Sequence, residues 1–89
     1  QKGRLFELAV AMELYRLPGD LYYWRDGKFE LDFVYKLGKN LFAIEVKSGS
    51  KKSPKGLAEF CRRFPKAKPM IITPDNFEKL SEQGADFLK

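Results

Sequence analysis

The sequence predicts a small α/β domain whose elements run in the order αβββαβ around a mixed central sheet. Three observations predict it. Residues 29 to 47, FELDFVYKLGKNLFAIEVK, alternate with a period of two on both sides of a short Gly-Lys-Asn turn, the pattern of a β-hairpin. Residues 3 to 17 are rich in strong helix formers and halt at Pro18-Gly19. A second helical pattern and an apolar strand follow the hairpin, which makes the last strand parallel to its second arm.

In the first helix, projection at 100° per residue places Ala9, Glu13 and Arg16 on the predicted wet side. Glu7 lies nearly opposite, with Ala11 and Leu14, so a carboxylate is aimed inward. Burying it unpaired is costly. Its partner is either Arg4 and the helix N-terminus, or an acidic cluster on the hairpin. Residues 21 to 25, LYYWR, read as a short aromatic strand, and Asp26-Gly27 as the tight turn into the main hairpin. These aromatics are expected in the core, with stacking on a base as the alternative.

In the hairpin, pairing Lys36 with Leu41 sets Val34 opposite Ala43, Asp32 opposite Glu45 and Glu30 opposite Lys47. Asp32 and Glu45 then share a face. Two carboxylates directly opposed on a sheet repel, at a cost of a few tenths to ~1 kcal/mol. A divalent cation between them would compensate, since Mg²⁺ is held by one or two carboxylates with water and substrate phosphate. Lys47, one strand period further on, would lie beside it. The alternative is a solvated sheet face on which Glu30 and Lys47 form a surface ion pair.

A basic loop, Ser48-Gly49-Ser50-Lys51-Lys52, leads to Ser53-Pro54 as helix cap and first helical residue. Leu57, Phe60, Cys61 and Phe64 recur at i, i+3, i+4 and i+7, while Lys55, Glu59, Arg62, Arg63 and Lys66 face outward. Pro65 ends this helix, and residues 67 to 73 read as a buried strand with Pro69 at its start or edge. Thr73 or Asp75 can cap a last helix over residues 76 to 83, closed by Gly84; residues 85 to 89 are expected to fray.

The 89 residues, with 8 Phe and 4 Tyr, suffice for one core, so residues 1–89 form one domain. The sequence contains no signal peptide pattern and no run long enough to span a membrane. Its single cysteine, Cys61, has no internal partner for a disulfide, and the expected location is the cytoplasm. No His is present, which excludes His-based triads and His-rich zinc sites. Catalysis, if any, must run on carboxylates and Lys. Net charge is +5, and residues 47 to 68 carry eight cations against the single Glu59, which leaves −2 for the remainder. A basic block next to an acidic cluster suits a polyanion held beside a metal, although such residues also simply solubilise a surface.

A helix with Glu7, three strands carrying Asp32 and then Glu45-Val46-Lys47, a basic helix and a further strand together resemble the PD-(D/E)XK nuclease superfamily. GRLFE, LYYWRD, ELDFVYKLGKN, LFAIEVKSGS and GLAEF are similar to the nuclease-like domain at the C-terminus of prokaryotic AAA-type ATPases. The resemblance covers about residues 3 to 73; Leu31 stands where the superfamily name has Pro. It implies a restriction-endonuclease-like fold and phosphodiester hydrolysis in nucleic acid, DNA in the first instance, by Glu7, Asp32, Glu45 and Lys47. Asp32, Glu45 and the Val46 carbonyl would bind Mg²⁺ or Mn²⁺, Lys47 would orient or help deprotonate the attacking water, and Glu7 would hold a second metal or a water. Lys51, Lys52, Lys55, Arg62 and Arg63 would hold the phosphate backbone. The resemblance also implies an ATPase domain in the same parent chain, of which this would be the C-terminal fragment. The alternatives are a catalytically silent module that binds nucleic acid or a partner, and a structural domain; pairing into a homodimer is left open.

Overall fold

A computed structural model describes residues 2–49 and 54–89, and shows a four-stranded mixed sheet with helices on both faces. The elements are α1 (Lys2–Tyr15), β1 (Asp20–Asp26), β2 (Phe29–Leu37), β3 (Asn40–Val46), α2 (Lys55–Arg63), β4 (Lys68–Ile72), α3 (Phe77–Gln83) and α4 (Ala85–Leu88). Strands lie in chain order, β1 to β3 antiparallel and β4 parallel to β3. The αβββαβ order and the mixed sheet are therefore as the sequence predicts. Among the described residues no helix is long and apolar enough to cross a membrane.

The hairpin register agrees with the alternation: Lys36 pairs with Leu41 and Val34 with Ala43, and the ladder extends to Phe33 opposite Ile44. Its turn is the two residues Gly38-Lys39, with Gly38 at φ 61°. On the other side β2 is irregular. Tyr22 pairs with Val34 but Trp24 with Leu31, so β2 carries one residue more than β1 around Asp32-Phe33. This bulge turns Leu31 to the face opposite Phe33. The expected pairings of Asp32 with Glu45 and of Glu30 with Lys47 are not made, because the β2–β3 ladder ends at Phe33 and Ile44; Glu30 is instead ion-paired with Arg25 of β1.

Two cores result. Phe33, Tyr35, Phe42 and Ile44 pack with Val10 and Leu14 of α1, Ile72, Leu80 of α3 and Leu88 of α4. On the opposite face Leu31, Val34 and Ala43 pack with Leu57 and Phe60 of α2 and with Ala67. β2 and β3 are thus apolar on both sides at their centres. Helix α2 comes so close to the sheet that a Cβ on Gly56 would lie 1.7 Å from the Glu30 carbonyl oxygen.

Several expectations need correction. The outward side of α1 is the apolar stripe Leu5, Leu8, Met12 and Tyr15, between 54% and 81% exposed, whereas Ala9 and Glu13 are half-buried. The helix is apolar almost all round, so a wheel drawn from its few charges lacks contrast. Tyr22 and Tyr23 are exposed and not core, because β1 is an edge strand; Trp24 alone is half-buried, edge-on to Phe60. β4 is likewise an edge strand and buries only Ile72 fully. Finally, residues 85 to 88 form α4, whose Leu88 is wholly buried. The N-cap position is Asn76 and not Thr73 or Asp75; its side chain makes no capping bond, and its oxygen accepts from the Thr73 N–H at 2.8 Å in the preceding loop. The Ser53 cap lies outside the described residues, and α2 begins after Pro54.

Candidate functional site

Where the β2–β3 ladder stops, the two strands carry Asp32 and Glu45, and the N-terminal part of α1 passes over them with Glu7. The bulge places Asp32 at the end of the regular pairing, where its Oδ2 accepts a hydrogen bond from the Val46 backbone N–H at 2.7 Å. A strand amide that would otherwise seek a ladder partner thus fixes one oxygen of Asp32. The Glu45 carboxyl lies close enough to Asp32 for the charge of one to act on the other. Gly3 lets α1 approach the loop after β3, where a Cβ would lie 3.1 Å from the Ser48 Oγ.

These groups line one depression of ≈260 Å³, walled by Gly3, Glu7, Asp32, Glu45, Val46, Lys47 and Ser48. The predicted quartet Glu7, Asp32, Glu45 and Lys47 is therefore brought together, with Val46 beside it. Glu7 is more exposed than an inward-pointing residue would be, but it opens onto this depression. Lys47 is half-buried, and its backbone N–H donates to the Ile72 carbonyl at 2.9 Å.

The electrostatics follow from this crowding. Burial, then the charge of Asp32, push the Glu45 carboxyl up to about 7, with Lys47 opposing. Glu7 is raised too, by burial first and by Asp32 next, while Arg4 pulls it back. Glu7, Asp32 and Glu45 thus line one depression, with Lys47 acting on Glu45 and Arg4 on Glu7. Asp32 and Glu45 are adjacent hard oxygen donors, the chemistry that suits Mg²⁺ or Mn²⁺. Among the described residues no group of three acidic or thiol side chains is close enough to form a ready metal cage. Any ion here would need backbone, water or substrate oxygens to complete its shell.

The predicted backbone-holding cations are distributed differently. Lys51 and Lys52 lie outside the described residues, and Lys55 is exposed at the start of α2. Arg62 and Arg63 sit at the far end of α2 and do not line the depression. Both pair with Glu59, and Arg63 also pairs with Asp26 and lies over the Trp24 ring at 5.2 Å. The Arg63 guanidinium thus ties α2 to the end of β1, while Arg62 pairs within the helix. Sequence reasoning missed the flanks of the site. Tyr23, Arg25 and Glu30 border a neighbouring depression that shares Glu7 and Asp32, and Thr73 and Asp75 border another that shares Lys47 and Ser48. A signal for the first was present in the unusual run of two tyrosines and an arginine on one short strand.

A family model described as "Domain of unknown function (DUF4143)" matches residues 2–88. No curated protein and no solved structure matches the chain.

Proposed function

The chain belongs to the DUF4143 family, and from that premise we propose that it is a metal-dependent nuclease-like domain of the PD-(D/E)XK type, hydrolysing phosphodiester bonds in nucleic acid, DNA foremost. The observation that carries this reading is the convergence of Glu7, Asp32, Glu45 and Lys47, from one helix and two strands, in a single depression. Carboxylates so close together are uncomfortable as a mere surface. The resemblance carried by GRLFE, LYYWRD, ELDFVYKLGKN and LFAIEVKSGS implies an ATPase domain in the same parent chain as the partner.

In this reading Asp32 and Glu45, with the Val46 carbonyl, would hold Mg²⁺ or Mn²⁺. When bound, such an ion supplies a polarised phosphoryl oxygen and a water acidified for attack. The Val46 N–H donates to Asp32 and holds its carboxylate in place beside Glu45. Lys47 places a positive charge where the phosphoryl oxygens gather negative charge, and orients the attacking water. Glu7, with its raised proton affinity, is suited to accept a proton from a water on the helix side. A second reading, a catalytically silent module that binds nucleic acid or a partner, is left by one observation: Arg62 and Arg63 do not line the depression and so do not hold a substrate backbone over the carboxylates.

The test is plasmid incubation with Mn²⁺, with nicking expected for the wild type and none for Lys47→Ala. Equal nicking by both would refute the assignment of Lys47. In parallel, millimolar Mg²⁺ or Mn²⁺ should raise the melting temperature of the wild type and leave Glu45→Ala unmoved.

A further inference from the structure

The sides of the candidate site differ in chemistry, and one of them carries an open aromatic ring. The central depression merges on one side, through Glu7 and Asp32, with a second one of ≈480 Å³ bordered by Tyr23, Arg25 and Glu30. On the other side, through Lys47 and Ser48, it merges with a third of ≈490 Å³ at the carboxyl ends of the parallel strands β3 and β4, bordered by Thr73 and Asp75. The three depressions adjoin through these shared walls, with the carboxylates and Lys47 in the middle one. An extended chain fits such adjoining depressions better than a compact molecule does.

Tyr23 is 79% exposed, yet it is not loose: its ring rests against Phe33, centroids 5.7 Å apart and tilted by 40°. One face is thus backed by the core and the other is open. Arg25 follows two residues later on the same strand. Among the described residues it is ion-paired with Glu30, both side chains being largely exposed, and such a pair contributes little and yields readily to a competing anion. A ring with one free face beside a guanidinium is the arrangement that holds an unpaired nucleotide, base on the ring and phosphate on the cation. In a duplex both faces of every base are covered by neighbours, so the ring would find no partner.

We propose that Tyr23 and Arg25 form a nucleotide subsite flanking the carboxylates, and that the substrate is a single strand or a locally unpaired segment. The inference rests on the nuclease-like reading for the role of the central site, but it stands on different residues. Tyr23 holds the base of a nucleotide adjacent to the scissile phosphate. Arg25 exchanges Glu30 for that nucleotide's phosphate, and Tyr23 and Arg25 act as positioning residues.

The test is fluorescence anisotropy with a short labelled oligothymidylate and with a duplex of the same length, in millimolar Mg²⁺, the probes checked for integrity on a denaturing gel. The single strand should bind more tightly than the duplex. Tyr23→Leu should weaken the single strand by about five- to a hundredfold and leave the duplex unchanged, and Tyr23→Phe, which keeps the ring, should retain the affinity. Arg25→Gln should lessen the salt dependence of single-strand binding by about one phosphate contact. Because Tyr23 is on the surface, the melting temperatures of these variants should match the wild type. Equal affinity for both probes, or single-strand binding indifferent to Tyr23→Leu, overturns the subsite and leaves the hydrolytic reading standing. Tyr23-dependent binding without Lys47-dependent nicking supports the subsite and removes the hydrolytic reading.

Discussion

Replacing Glu45 by Gln should make the metal-free domain more stable at alkaline pH, although it deletes a carboxylate of the candidate site. The sign follows from linkage. The folded protein holds the Glu45 proton up to about 7, against an ordinary 4.5, so folding is favoured by protonation. That stability is fully present below 4.5 and is lost as pH rises through 7. The full difference corresponds to an upper bound of ~3 kcal/mol at pH 8. Glu45 is only half-buried, and screening by solvent reduces this to ~1–2 kcal/mol. For a domain of this size that is roughly 5–15 °C in melting temperature. Thermal unfolding followed by circular dichroism, in chelator from pH 5 to pH 8, should show the wild type falling with pH. Glu45→Gln should be nearly level and melt above the wild type at pH 8, with a small residual slope from Glu7, which shifts in the same direction. Glu59 does not interfere: its arginine partners hold it at about 2, so its contribution is lost only in acid below this window. A wild-type melting temperature that is flat or rising between pH 5 and 8, or a Gln variant that melts lower at pH 8, would refute the reasoning.

Two further substitutions test the packing that positions the site. Gly56→Ala puts a Cβ 1.7 Å from the Glu30 carbonyl oxygen; backbone against backbone cannot yield, and overpacking of ~1–3 kcal/mol or more outweighs the ~1 kcal/mol that Ala gains over Gly inside a helix. Its melting temperature should fall, and an unchanged value would show that α2 is not pressed against β2. Tyr35→Phe removes the hydroxyl that accepts the Gly19 N–H at 2.8 Å; leaving that amide without its acceptor should cost ~1–3 kcal/mol, read as a lower urea midpoint at constant slope.

Much of the frame was legible because it rests on short-range rules. Period-two alternation fixed the β2–β3 register, and the prolines and Gly84 marked the ends of helices as predicted. The convergence of Asp32, Glu45 and Lys47 followed from the same counting, since the residues sit at fixed offsets from a recognisable turn. The bulge was not legible: nothing in FELDFVYKL announces an extra residue, and the alternation continues formally through it. Its effect is set by how β1 pairs, a tertiary fact. The faces of α1 failed for a related reason. Val10 and Leu14 are buried while Leu8 and Met12 are not, and equally apolar residues carry no label for which side meets the sheet. The exposure of Tyr22 and Tyr23 depends on β1 lying at the sheet edge.

The surplus residue in β2 has a mechanical meaning. A perfectly regular ribbon can slide past its neighbour in steps of two without changing which side chains are hidden. A strand with a dislocation cannot, because Leu31 and Val34 lie in one apolar layer although they differ by three, and a slide would carry the mismatch onto the aromatic rings of Phe33 and Tyr35. Slippage of β2 against β1 is thereby forbidden at the point where Asp32 emerges, and the carboxylate stays beside the end of the regular β2–β3 ladder.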